Sequence, residues 1–422
     1  MARLMSRSTL DLGRVPARER VVRPSGGRGR RRDETWFRDR APAAWKHVDV
    51  VLVACVAAVS VLGALMILSS TRGTDPDAYD TSFLRKQALF VAVGVVGMVA
   101  VTLIDYRRLR DFAWIPYLAA VMSLVLVVAV GEEVRGAQAW FQIGAFQLQP
   151  AEFAKVAVIL AVASALAGRE VPLKARWLVC ALVLIGVPVA LIMLQPDLGT
   201  ALVFVAIALG MTLMAGARAR HIVVLVAVGV VGVVGVLNSD LLEDYQRDRL
   251  ANFLQPSSPG DGSGPISAAG NPGGLPDAQS SDYNSDQSLA AIASGSVNGK
   301  GLFDGTQTRL GFVPEQHTDF IFTALGEELG FVGCVTALAL FAIICARIWR
   351  TAQIAQDRLG MLICVGVLSM LVFQIFQNVG MTMGIMPITG ITLPFMSYGG
   401  SSAIASWLAI GLVLNVHMRR FG

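Results

Sequence analysis

Glu152 and Lys155 stand three positions apart near one end of an apolar run, residues 150–168. On a helix that spacing puts both on one face, where an ion pair can form. Ionisable groups within a hydrophobic segment are costly and usually functional. Such a pair can offer a cation to an anionic substrate, with the carboxylate holding it in place. It can also be a neutral pair that merely tolerates burial.

Other groups share this character. Asp197, in Gln195-Pro196-Asp197-Leu198-Gly199-Thr200, stands where it can cap the run 199–216. Glu327 and Glu328, beside Gly326 and Gly330, suit either a network at a helix kink or a site facing a cavity. Glu315, His317 and Asp319 precede another run; His317 is a titratable acid or base, and Thr318 or Asp319 could cap the helix. Arg135, Trp140 and Phe141 share the short stretch 132–149, where the aromatics can serve as interface anchors. Residues 378–402 lie between two hydrophobic spans yet hold Pro387, Pro394, five glycines and several hydroxyls, Ser397, Tyr398 and Ser401 among them. Irregular backbone at membrane depth survives only where protein or a water-filled cavity surrounds it. That stretch reads as the wall of a site.

The elements that position these groups are spanning helices. Of 422 residues, 54% are hydrophobic and 15% charged, which excludes an ordinary soluble composition. Ten apolar runs are long enough to cross the bilayer: 48–70, 87–104, 111–131, 150–168, 177–194, 199–216, 221–237, 319–346, 358–384 and 401–418. The fold class is an all-α integral membrane protein of about ten transmembrane helices, the segment 47–420 forming one polytopic domain. Arg107, Arg108, Arg110, Arg169, Lys174, Arg176, Arg218, Arg220, Arg347, Arg350, Arg419 and Arg420 follow the even-numbered spans. Positive charge marks the cytoplasmic side, so both termini are expected inside. Residues 1–46 read as a disordered basic tail suited to an anionic inner leaflet. The five cysteines lie in apolar runs with no metal-ligand spacing and read as small hydrophobes.

One large external loop, 238–318, remains. Its centre, 255–282, is Gly, Ser, Pro and Asn with little to bury, and is expected to be mobile. Its flanks read as short ordered pieces: 244–250, the helix around Gln287–Ala293, and Thr306–Phe312 with Arg309. Such a loop suits closure over a substrate.

Together these motifs resemble the SEDS family (shape, elongation, division and sporulation) of membrane-embedded peptidoglycan polymerases. The resemblance rests on Asn378, Gly384, Pro387, Gly390, Pro394, Ser397, Tyr398, Gly399, Gly400, Ser401 and Ser402, on Gln149-Pro150-Ala151-Glu152-Phe153 with Lys155, on Gln195–Thr200, and on Pro314–Phe322 with Gly326-Glu327-Glu328. Gly305-Thr306-Gln307 and Pro387-Ile388-Thr389-Gly390 are more similar to the elongation members, RodA, than to the division members, FtsW. The resemblance implies a glycosyltransferase of the bacterial inner (plasma) membrane that polymerises lipid II into β-1,4 glycan, releasing undecaprenyl diphosphate with inversion. It implies an aspartate base before a Tyr-x-x-x-Gln-Ser segment. Tyr283–Ser288 matches that segment, which points to Asp277, with Asp282 next and Asp261 and Asp286 behind. It further implies substrate contacts from Glu152, Lys155, Arg135, Trp140, Arg309, His317, Ser397, Tyr398 and Ser401, a class B penicillin-binding protein as partner, and room for a divalent cation, magnesium or manganese, at the diphosphate. Ala139 departs from the family's arginine before Trp140, with Arg135 as the compensating cation. A transporter such as a lipid II flippase, and a scaffold for a partner, are the competing classes.

Overall fold

Nine of the ten predicted runs coincide with helices in the computed structural model, which describes residues 47–71, 81–134, 137–144, 146–224, 226–227, 229, 281–310, 312 and 315–420. The helices that build the bundle are α1 (Val50–Ser70), α2 (Ser82–Leu103), the short α3 (Tyr106–Asp111), α4 (Trp114–Val130), α5 (Pro150–Leu166), α6 (Ala175–Met193) and α7 (Leu198–Met214). After the loop come α8 (Ser281–Ser294), α9 (Thr306–Leu310), α10 (Ile321–Gln353), α11 (Arg358–Thr382) and α12 (Gly400–Met418). Six of them, α1, α2, α6, α10, α11 and α12, are long and apolar enough to cross a membrane. Most of the run 221–237, the basic tail, the segment 244–250 and the loop centre lie outside the described residues.

The helices turn large apolar side chains outward. Val96, Val130 and Phe331 are each at least 65% exposed. In water such a surface would be a severe liability; against hydrocarbon it costs nothing. The interior centres on α12, which is buried along nearly its whole length and packs against α2, α5 and α11. The approach of α2 and α12 is close because Gly411 leaves room: a Cβ there would stand 2.9 Å from the Met98 carbonyl oxygen.

Among the described residues, the departure from helix is a small antiparallel sheet in 132–148, of order β1-β2-β3: β1 (Glu132–Val134), β2 (Ala137–Ile143) and β3 (Phe146–Leu148). Phe141 pairs with Leu148 and Ile143 with Phe146, and the chain then runs into α5. The arginine-rich end is laced by ion pairs. Arg347 meets Asp49 at 2.8 Å, and Arg419 and Arg107 meet Asp105 and Asp357 at 3.7 Å. The Tyr106 hydroxyl donates to Asp357 at 3.0 Å. Burial, and then the negative charge of Asp357, push that phenol up to about 12. All five cysteines are free, as their apolar settings suggested.

Two local expectations are corrected or settled here. Neither Thr318 nor Asp319 caps α10; its N-cap is Phe320, without a side-chain hydrogen bond. Thr318 Oγ1 is instead turned back to Glu315 Oε2 at 3.0 Å, because Glu315 sits at a left-handed φ of 55° and folds the segment on itself. Glu327 and Glu328 belong to a helix-kink network. α10 breaks at Gly330, whose φ of 64° only glycine adopts without strain.

Candidate functional site

Pro150 opens α5, the position where a missing N–H costs nothing. Glu152 and Lys155 follow, 6% and 2% exposed, with Nζ 2.7 Å from Oε1. The pairing expected from their spacing is present. Burial makes it obligatory, since either charge alone would be stranded in a poorly polarisable interior. Asp197 stands beside them. Its Oδ1 accepts from the Thr200 N–H at 2.9 Å, the predicted cap of α7, and its Oδ2 accepts from Gln149 Nε2 at 3.4 Å. Burial pushes the Asp197 carboxyl above the usual carboxylate range; the Thr200 hydrogen bonds and the Lys155 charge pull the other way.

The irregular segment 383–399 forms a wall of this region. Amide side chains at the end of α11 pin it. Gln377 Nε2 donates to the Pro387 carbonyl at 3.0 Å and to Thr389 Oγ1 at 3.1 Å. Asn378 Nδ2 donates to the carbonyls of Asp319 at 2.8 Å and Ile391 at 2.7 Å. The opposite atoms, Gln377 Oε1 and Asn378 Oδ1, are buried and accept from no group among the described residues, and neither does Gln374 Oε1 one turn earlier. Such orphaned acceptors cost about 1–3 kcal/mol each unless water or a ligand donates to them. Three acceptors on one end of α11 are thus left open to a donor from water or a ligand.

The hydroxyls of the same segment do local work. Ser397 Oγ accepts from the Leu393 N–H at 2.8 Å, and Ser401 Oγ accepts from the Gln149 N–H at 2.9 Å, which ties α12 to the start of α5. Tyr398 is half-buried; its N–H donates to the His317 carbonyl at 2.9 Å. The rings of Phe83, His317 and Tyr398 cluster, with centroids 5.0, 5.2 and 5.7 Å apart. Gln87 of α2 brackets Tyr398, donating to the Ser397 carbonyl at 3.2 Å and accepting from the Gly399 N–H at 3.3 Å.

The end of the large loop docks on the broken helix. Glu327, fully buried, accepts from Lys300 Nζ at 2.7 Å, from the N–H groups of Gln307 and Thr308 at 2.8 Å each, and from Thr308 Oγ1 at 2.7 Å. Glu328 accepts from Ser69 Oγ and from the Phe303 N–H. The N–H groups of Lys300 and Gly301 donate to the Glu327 and Glu328 carbonyls, and those of Phe331 and Val332 to Ser296 and Val297, each at 3.0–3.1 Å. The loop thus takes over hydrogen bonds that the kink removes from the helix.

α8 lies against the ends of α10 and α11. Ser288 Oγ meets Thr323 Oγ1 and donates to the Thr382 carbonyl at 2.9 Å. A Cβ on Gly384 would stand 3.6 Å from Ser285 Oγ and 3.5 Å from Leu289, so α8 covers the start of the irregular wall. The backbone of Asp282 is the second residue of α8, one turn before Ser285; Asp286 is exposed. Asp277, Asp261 and Arg135 lie outside the described residues. Trp140 is half-buried on β2 opposite Glu132, and Arg309 is exposed at the end of α9. An apolar groove of about 390 Å³ between α10 and α11 is lined by Leu338, Phe341, Val372, Phe376, Met383 and Ile385, with the free thiol of Cys345 beside them. Among the described residues no set of three or more His, Cys, Asp or Glu is placed to hold a metal ion.

The sequence model of the family described as "Cell cycle protein", which groups FtsW, RodA and SpoVE, matches residues 49–421. The chain belongs to this family. It is the SEDS family that the motifs resemble. Similar relatives are peptidoglycan glycosyltransferase MrdB of Escherichia coli, 35% identical over 375 residues, covering 89% of this chain and 94% of that one, and the probable peptidoglycan glycosyltransferase FtsW of Geobacter metallireducens, 32% identical over 384 residues, covering 89% and 96%. Among solved structures, a chain from a peptidoglycan synthase complex that coordinates polymerisation and crosslinking is 33% identical, with a TM-score of 0.71 over 89% of this chain and 99% of that one. This SEDS protein is therefore a multi-pass membrane protein.

Sequence reasoning missed Gln87, Phe83, Ser69 and Lys300 as builders of the site. Gln87 carried a signal, a lone amide in an apolar run; Phe83, Ser69 and Lys300 gain their parts only from pairings across more than two hundred residues or across the kink.

Proposed function

We propose that this protein is a peptidoglycan glycosyltransferase that polymerises lipid II at the outer face of the bacterial plasma membrane. The observation that carries the reading is the buried Glu152–Lys155 pair beside Asp197 and the irregular wall, on a chain of a family whose relatives bear that activity's name. The acceptor sugar's 4-hydroxyl attacks C1 of the donor's MurNAc. Its proton passes to a loop aspartate, Asp277, with Asp282 next in line, and the undecaprenyl diphosphate leaves with inversion. Charge gathers on the departing diphosphate, where fixed cations lower the barrier most. Lys155 supplies that charge and Glu152 aims it; further substrate contacts are proposed for Arg309, Trp140 and His317, and for Arg135, which lies outside the described residues. Ser397, Tyr398 and Ser401 shape the wall. A divalent cation, magnesium or manganese, would neutralise the substrate's diphosphate, with loop aspartates as its candidate ligands.

We place the arginine-rich end and both termini in the cytoplasm, with ten spans in all. A class B penicillin-binding protein is the expected partner, in keeping with the solved synthase complex that resembles this chain. Elongation is the role we favour. Thr389 occupies the RodA-like position, and its hydroxyl takes the hydrogen bond from Gln377 that fixes the wall. Relatives named MrdB and FtsW match at similar identity, so the favoured role rests on those residues.

Purified protein given labelled lipid II, with and without the transpeptidase, tests the reading. New glycan chains in detergent are expected. Movement of lipid II between leaflets with no polymer would replace the enzyme by a carrier, and a partner that polymerises equally well without this chain would leave only a scaffold.

A further inference from the structure

At the opposite, arginine-rich end a second cavity opens. It measures about 440 Å³ and lies where α7 ends, α10 ends and α11 begins. Its lining is mixed: Arg358, Gln353 and Gln356 are polar, while Met214, Trp349 and Met361 are not. Such a mixture matches a lipid, with a charged head beside the basic surface and chains along the bundle. Trp349 is 40% exposed at the depth where arginines begin, which is where tryptophans mark the membrane–water boundary.

Arg358 is half-buried and held in place. Its guanidinium donates to the Arg169 carbonyl and, at 3.2 Å, to the Ala215 carbonyl. A guanidinium carries five donor hydrogens, so these two bonds orient the fork without exhausting it. The one carboxylate lining the cavity, Asp357, is taken up by the Tyr106 hydroxyl, the Gly360 N–H and the Arg107 guanidinium. Arg107 thus faces Asp357 from outside the lining, while Arg358 is bonded only to neutral carbonyls and keeps its own charge without a carboxylate partner. We propose that it binds the headgroup of an anionic phospholipid, the phosphodiester resting on Arg358 and the acyl chains running over Met214, Met361 and Trp349. The other lining amides, Gln353 and Gln356, are exposed and stand at the headgroup level.

The experiment uses the full purified chain. Native mass spectrometry and thermal unfolding are run with phosphatidylglycerol, cardiolipin, phosphatidylcholine or inorganic phosphate added to the detergent. The two anionic lipids are expected to be retained and to raise the unfolding temperature; phosphatidylcholine and phosphate are not. One basic contact near a membrane surface is worth about 1 kcal/mol, so Arg358→Gln is expected to weaken anionic lipid binding about fivefold. Because Arg358 also ties two helix ends together, a second variant is needed. Gln353→Glu, on an exposed side chain, leaves those bonds in place and is expected to weaken binding by a similar factor through repulsion. Equal retention of zwitterionic lipid, stabilisation by phosphate alone, or undiminished anionic binding in Gln353→Glu would each overturn the proposal and leave Arg358 as a latch between helix ends only.

Discussion

Removing one half of the Glu152–Lys155 pair and then both halves separates what the pair does for the fold from what it does for the substrate. Both side chains are more than nine-tenths buried and 2.7 Å apart. Lys155→Met leaves the Glu152 carboxylate buried beside Asp197, which already carries a carboxyl that burial disfavours in its charged form. Loss of one partner from such a pair costs about 3–5 kcal/mol, whereas replacing both by neutral groups of similar size is often neutral or stabilising. Lys155→Met and Glu152→Gln are each expected to lower stability by that amount, and the double variant to recover most of it. Resistance to unfolding in detergent, followed by the tryptophan signal, reads the three variants against the parent. Polymerisation of labelled lipid II is then measured on the double variant. If Lys155 serves the diphosphate, the recovered protein stays inactive, by 10²-fold or more, the usual scale for loss of one fixed electrostatic group. A double variant that is both stable and fully active would refute the reasoning and reduce the pair to packing.

Asp277→Ala is expected to abolish polymerisation while leaving the amount of folded protein unchanged; loss in Asp282→Ala with activity retained in Asp277→Ala would transfer the base to the latter's neighbour at the start of α8. Glu327→Ala strands several N–H groups and Lys300 at once, so it should cost at least about 3 kcal/mol, and hydrogen exchange across residues 300–310 should accelerate far more than in Lys300→Ala. Gly330→Ala should be similarly severe, because an alanine there meets both an unfavourable φ of 64° and the backbone of Gly299. Tyr106 gives a pH test. Its folded-state value of about 12 lies above the ordinary phenol value near 10, so its contribution is complete below about pH 10 and is lost as pH rises through 12. Tyr106→Phe should flatten the alkaline limb of a stability profile, and an unchanged limb would remove Tyr106 from the account.

Much of the bundle was legible because the bilayer imposes a simple rule on sequence. An apolar run of sufficient length must span, and the helices at Val50–Ser70 and Ala175–Met193 follow it closely. Local spacing was equally readable: a separation of three positions between Glu152 and Lys155 forecast their contact, and Asp197 before Thr200 forecast the cap. What stayed hidden depends on partners distant in the chain. Nothing in the order of residues says that Ser69 meets Glu328, or that Gln149 meets Ser401. The Glu327–Glu328 pair was ambiguous for the same reason, since its acceptor atoms are satisfied by a loop that folds back from twenty and more residues upstream. The false caps at Thr318 and Asp319 show a local rule losing to backbone geometry, because a left-handed Glu315 turns the approach before a cap can form.

The break at Gly330 has a consequence for how the molecule is made. A nascent α10 cannot enter hydrocarbon as a finished rod, because several main-chain groups of residues 327–332 find their mates on residues 296–301, a stretch synthesised earlier. The upper half of that rod must wait, hydrated, until the preceding strap settles onto it. Completion of the α10 kink therefore needs the preceding strap in place, and agents that hold the strap away during synthesis should yield a protein that is inserted but lacks the docked loop end.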